Sequence, residues 1–205
     1  MPRFFPLVVA LVLFSTQFAN AKDPMIFISA FAGGDQGAIH SFNFDLATGI
    51  LKPLQRTTSV QNPFFLALSP DKKFLYSIHA LKFGSKDAEE IAAFKLLGND
   101  GKLELLNKQS AKGSAACYLH VDNSGKTVVV ANYSTGSVAS LPVKEDGSLG
   151  EPASFVQHVG SSVNPTRQKE PHAHCIVVSP DNKYAFAADL GLDQILCYKL
   201  DSKQG

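Results

Sequence analysis

The 205-residue chain has almost no excess charge, with 19 Lys and Arg against 18 Asp and Glu. Without a basic or acidic field there is little to attract nucleic acid or an acidic membrane surface, so neither is expected as a partner. Cysteine is scarce as well. Cys117, Cys175 and Cys197 lack the spacing of a metal site, and their odd number excludes complete internal pairing. Cys175 and Cys197 lie in apolar runs and read as packed thiols. Beyond the N-terminus no apolar run approaches a membrane span, and no segment reads as a long amphipathic helix. Gly-x-Ser-x-Gly elbows, Walker loops and dinucleotide fingerprints are all missing, which removes the common nucleophile and nucleotide readings.

What is present begins with a leader. Met-Pro-Arg3 is basic, Phe4 onward is apolar, and Ala19-Asn20-Ala21 has the small-x-small form of a cleavage site. Residues 1–21 therefore read as a secretory signal peptide and the protein as exported, periplasmic or secreted. No membrane association is expected after cleavage. Residues 22–205 are long enough for one domain with a sizeable core.

That domain repeats. Leu68-Ser69-Pro70-Asp71-Lys72-Lys73-Phe74 recurs as Val121-Asp122-Asn123-Ser124-Gly125-Lys126-Thr127 and as Val178-Ser179-Pro180-Asp181-Asn182-Lys183-Tyr184. Each copy is a strand, a tight polar turn and a second strand. A third strand follows at 91–96, 138–143 and 194–200, and a fourth at 102–109 and 149–158. Asn99-Asp100-Gly101 and Glu145-Asp146-Gly147 supply hairpin chemistry. Four-stranded antiparallel units at a period of about 50 residues indicate an all-β fold, a β-propeller. Segments 25–31, 37–45 and 50–56 match the second to fourth strands of a preceding unit, so about 3.5 to 4 blades are expected. The segment reads as part of a larger ring, and by itself is expected to be inactive and prone to associate through open strand edges.

The first strand of a blade lines the central channel, and its start shares a rim with the end of the second strand. His174 begins such a first strand, at the place taken by Phe64 and Cys117 in earlier units. His79, Asn132 and Asp189 end the second strands and are read as a substrate-binding ring, although short polar groups there equally cap neighbouring backbone. The loop before His174 brings His172 and Arg167 to the same rim. Imidazole can take a proton from water at neutral pH, and a guanidinium can hold an oxyanion, carboxylate or phosphate. His174, His172 and Arg167 are therefore the candidate catalytic residues, and ester or lactone hydrolysis fits them.

Asn164-Pro-Thr-Arg167-Gln-Lys-Glu-Pro171-His-Ala-His174, Val130-Ala-Asn132-Tyr133 and Ala188-Asp189-Leu-Gly191 resemble motifs of the seven-bladed propeller lactonases, which include bacterial 6-phosphogluconolactonases and fungal carboxy-muconate cyclases. The resemblance covers roughly the first half of such a protein. It implies a metal-independent site in the central cleft, no cofactor, and a small-molecule lactone as substrate. His172, His174 and Arg167 fall on family motifs, while a second arginine and a glutamate would lie beyond Gly205. Ala116-Cys117-Tyr118 and His79-Ala80 depart from the Pro-Cys-His and Asn-Glu usual in the family, which removes a rim histidine and a carboxylate. The leader adds that an exported relative would meet a lactone other than the cytoplasmic 6-phosphate. A muconate-type cycloisomerase, or a propeller used only for binding, are the other readings.

Overall fold

The computed structural model describes residues 23–80, 82 and 88–201. The leader expected at 1–21 lies outside the described residues. Among the described residues fourteen strands form four antiparallel sheets. The first sheet is β1 (Met25–Ala30), β2 (Ala38–Phe44) and β3 (Leu51–Thr57); the second is β4 (Leu66–Leu68), β5 (Phe74–His79), β6 (Glu90–Leu97) and β7 (Lys102–Ser110). The third is β8 (Ala116–Val121), β9 (Thr127–Asn132), β10 (Ser137–Pro142) and β11 (Ser154–Gln157), and the fourth is β12 (Ala173–Val178), β13 (Tyr184–Asp189) and β14 (Gln194–Lys199). The sheets are successive blades, with three, four, four and three strands, as the repeat predicts.

The repeated turn shows why Ser and Asp recur. Ser69 Oγ donates to Asp71 Oδ1 at 2.6 Å and accepts the Phe74 N–H at 3.0 Å, while Asp71 Oδ1 also accepts from Lys73 N. The same three bonds recur around Ser179 and Asp181. In the third blade Asp122 replaces the serine, and its carboxylate takes the Lys126 and Thr127 N–H groups directly. Lys72, Gly125 and Asn182 occupy the left-handed position of the three turns.

Blades are held face to face by apolar side chains. Tyr76, Ile78 and Ile91 pack against Leu119, Val128 and Leu141 between the second and third blades. Val129, Ala131 and Val138 meet Ile176, Ala185 and Ala187 between the third and fourth. Each large side chain buried this way contributes about 1.5–3 kcal/mol. Polar ties fix the register: the Tyr76 hydroxyl donates to the Gly147 carbonyl, and the Asn107 amide bonds both the N–H and the C=O of Leu149.

Two expectations need correction. The fourth strand of the third blade is not continuous over 149–158: Leu149 makes a lone bridge to Val143, and the strand resumes at Ser154. Pro152 lies in the break and has no N–H to give the ladder. Cys197 is exposed rather than packed, because it lies with Tyr184, Phe186 and Ile195 on the face of the fourth blade turned away from the third. Cys175 is partly buried, and none of the three cysteines is paired.

Candidate active site

The innermost strands of the second, third and fourth blades each open with a bulge. In the fourth blade Ala173 pairs with Asp189 and Cys175 with Ala188, so His174 is the extra residue. In the third, Ala116 pairs with Asn132 and Tyr118 with Ala131, which leaves Cys117 in the same position. In the second, Phe64 N and Phe65 O both bond Ile78. A bulge bends its strand and re-aims a side chain, and in the fourth blade the residue re-aimed is a histidine.

His174 is exposed at the rim and lines a cleft of about 320 Å³ with Leu190, Asp193 and Gln194. Its ring stands edge-on to Tyr133, with centroids 5.4 Å apart. His172, half-buried, stacks on the same Tyr133 ring at 4.5 Å and 12°. Its Nδ1 is 3.1 Å from the Tyr133 carbonyl oxygen. A carbonyl only accepts, so Nδ1 carries the proton in the neutral ring and Nε2 keeps the basic lone pair. Arg167 Nη2 donates to the Tyr133 hydroxyl at 3.0 Å. One tyrosine thus collects the three candidate catalytic residues.

Arg167 is presented by an Asx turn, in which Asn164 Oδ1 accepts the N–H groups of Thr166 and Arg167. Gln168 anchors the loop, donating to the Leu190 carbonyl. Gly136 is required beside this loop: a Cβ there would overlap Pro171, and its φ of 58° already favours glycine.

The expected polar ring lies inside the blades and not on the rim surface. Asn132 is 0% exposed and its amide donates to the Ala111 carbonyl and Ser137 Oγ. Asp189 is 2% exposed: Oδ1 accepts from the His172 and Leu192 N–H groups at 2.8 and 3.0 Å, and Oδ2 is 2.6 Å from His158 Nδ1. Burial acts to raise this carboxyl, but the hydrogen bonds from His158 and the two backbone groups prevail and hold it below its ordinary value. His79 is 3% exposed, and burial, helped by Lys108, pushes it down to about 4. Its Nε2 stands 3.6 Å from Glu90, but that carboxylate is half exposed and screened, so burial prevails. Side chains so enclosed act on the fold around the rim. Cys117 is likewise no nucleophile, since burial, reinforced by Cys175 and Glu89, drives its thiol up to about 12.

Two residues of the site were not singled out from the sequence. Tyr133 follows the last residue of β9 and closes the Val130-Ala-Asn132-Tyr133 motif, the signal that could have found it. His158 follows the last residue of β11 and is bracketed by Asp189 Oδ2 and, at 2.7 Å from Nε2, the Tyr198 hydroxyl. Among the described residues no group of three His, Cys, Asp or Glu side chains is arranged to hold a metal ion.

A family profile described as Lactonase, 7-bladed beta-propeller, matches residues 25–205. The chain belongs to the seven-bladed β-propeller lactonase family. It is 35% identical to a 6-phosphogluconolactonase from Bacillus subtilis over 168 residues, which is 82% of this chain and 46% of that protein. Among solved structures, one from Bacteroides fragilis superposes with a TM-score of 0.78 at 33% identity, over 90% of this chain and 50% of the other. A periplasmic gluconolactonase from Pseudomonas aeruginosa gives 0.73 at 30% identity, over 85% and 49%. The chain spans about half the length of the lactonase-family relatives it matches.

Proposed function

We propose that the full-length protein hydrolyses a sugar lactone at the rim where Arg167, His172 and His174 meet on Tyr133. The observation that carries this reading is the fixed His172 ring, held through Nδ1 so that the basic lone pair is on Nε2, together with a guanidinium anchored on the same tyrosine. In the reaction, water attacks the lactone carbonyl carbon as Nε2 takes its proton. The carbonyl oxygen gains charge, which a guanidinium stabilises. Collapse breaks the bond from carbonyl carbon to ring oxygen, the proton passes to that oxygen, and a hydroxy acid leaves.

The names of the relatives support a sugar lactone as substrate. The leader at 1–21 adds export, with a mature chain starting at Lys22, and an exported enzyme meets unphosphorylated lactones. N-terminal sequencing of protein recovered outside the cytoplasm checks the second point, and an intact Met1 in the cytosol overturns it. For the first, the full-length protein is offered gluconolactone, its 6-phosphate and a carboxymuconate. Turnover of gluconolactone is expected. Turnover of the carboxymuconate alone makes the protein a cycloisomerase instead, and silence on all three makes it a binding propeller.

A further inference from the structure

The loop 159–171 carries Arg167 and joins His158 to His172. Both of its ends rest on one carboxylate. Where it leaves the third blade, the His158 ring bonds Asp189 Oδ2; where it enters the fourth, the His172 N–H bonds Asp189 Oδ1. Behind His158 stands the Tyr198 hydroxyl, 2.7 Å from Nε2. A carboxylate only accepts, so Nδ1 of neutral His158 donates and Nε2 accepts from Tyr198. The bonds run in one direction from Tyr198 through His158 to Asp189, which is left with Oδ1 for the backbone of His172 and Leu192.

Holding blades together does not require this arrangement. At the equivalent place in the preceding blade Asn132 makes the tie with the backbone carbonyl of Ala111, using no charge and no histidine. The loop there is short, 111–115, carries no candidate catalytic group, and ends on a buried carboxylate of its own, Glu89, whose Oε2 accepts the Ala116 N–H at 3.0 Å. The carboxylate backed by a histidine and a tyrosine stands where the long, reactive loop must be held.

We propose that Tyr198, His158 and Asp189 form a clamp that sets the position of loop 159–171, and with it Arg167 and His172. On the lactone reading above, on which this inference rests for its kinetic half, the three are positioning residues and not substrate contacts. A small displacement of reacting groups costs about 10²-fold in rate, so the clamp governs kcat more than KM.

The loop offers its own readout, because Arg167 and Lys169 are exposed trypsin sites while Lys73, in the second blade, reports general loosening. Full-length wild type is compared with Asp189→Ala, His158→Ala, His158→Asn and Tyr198→Phe by limited trypsinolysis, with cuts mapped by mass, and by kcat and KM on gluconolactone. In the two alanine variants cutting at Arg167 and Lys169, relative to Lys73, is expected to accelerate about ten- to hundredfold, the ratio that loss of one charge-assisted hydrogen bond produces. His158→Asn keeps a donor for Asp189 and is expected to restore most of the protection and of kcat; Tyr198→Phe keeps the packing and gives a smaller rise. Should the large variants fail to fold, the last two still decide the matter. Unchanged relative cutting in Tyr198→Phe overturns the clamp, as does unchanged cutting in a folded His158→Ala or a loss confined to KM. If wild type turns over no lactone while loop cutting responds as described, the lactone reading fails and the clamp stands.

Discussion

Substituting Gly147 by alanine tests whether the blades interlock as described, and the structure supplies both the cost and the control. Gly147 has φ of 86°, and an added Cβ would overlap the ring of Phe74 in the preceding blade. The left-handed backbone costs an alanine about 1–2 kcal/mol. Displacing the ring adds about 1–3 kcal/mol of overpacking, and disturbing the bond from the Tyr76 hydroxyl to the Gly147 carbonyl adds about 1 kcal/mol. A loss of about 3–6 kcal/mol is expected. Gly49, with φ of 72° and open space around its Cβ position, carries the backbone cost alone, so Gly49→Ala is expected to lose only about 1–2 kcal/mol. Urea denaturation of the two variants beside wild type, followed by circular dichroism, measures the difference. Equal losses would show that the Gly147 turn does not bear on the second blade, and the inter-blade packing argument would fail.

Acid stability follows from His79. Its folded value near 4 lies below the ordinary 6.5, so between those values the unfolded chain binds a proton that the folded protein refuses, and stability falls on acidification. The loss is about 1.4 kcal/mol per pH unit, about 3 kcal/mol in all, and complete below pH 4. His79→Gln is expected to flatten this slope; parallel slopes in wild type and variant refute the assignment. In the repeated turn, Ser69→Ala removes an acceptor for Phe74 N and a donor to Asp71, and is expected to cost about 1–2 kcal/mol in the same urea assay. No measurable loss would make the serine a passive feature of the repeat.

The parts of this molecule that are legible in the sequence are those decided within a few residues. Alternating apolar positions, the Ser-Pro-Asp turn and the Asp-Gly hairpins are local, so strands such as β9 and β13 and the equivalence of His79, Asn132 and Asp189 could be read directly. Pro152 interrupts a strand that its apolar pattern suggests is continuous, and the missing N–H was the overlooked signal. The site was harder. His172, His174 and Arg167 stand out because they crowd one loop. Tyr133 meets Arg167 from 34 positions away, and His158 meets Asp189 and Tyr198 across 31 and 40 positions, so only blade packing brings them together. Whether a polar strand end faces the rim or the blade interior is likewise set by the neighbouring blade, which is why Asn132 and Asp189 are buried.

The central claim is that His172, at the end of loop 159–171, acts as the base that opens a sugar lactone, and initial rates of gluconolactone hydrolysis by full-length wild type and His172→Gln test it most directly. Glutamine keeps an amide donor but has no basic nitrogen, and loss of general-base assistance is expected to lower kcat by about 10²- to 10⁴-fold with KM little changed. A His172→Gln enzyme that retains the wild-type kcat would contradict the account.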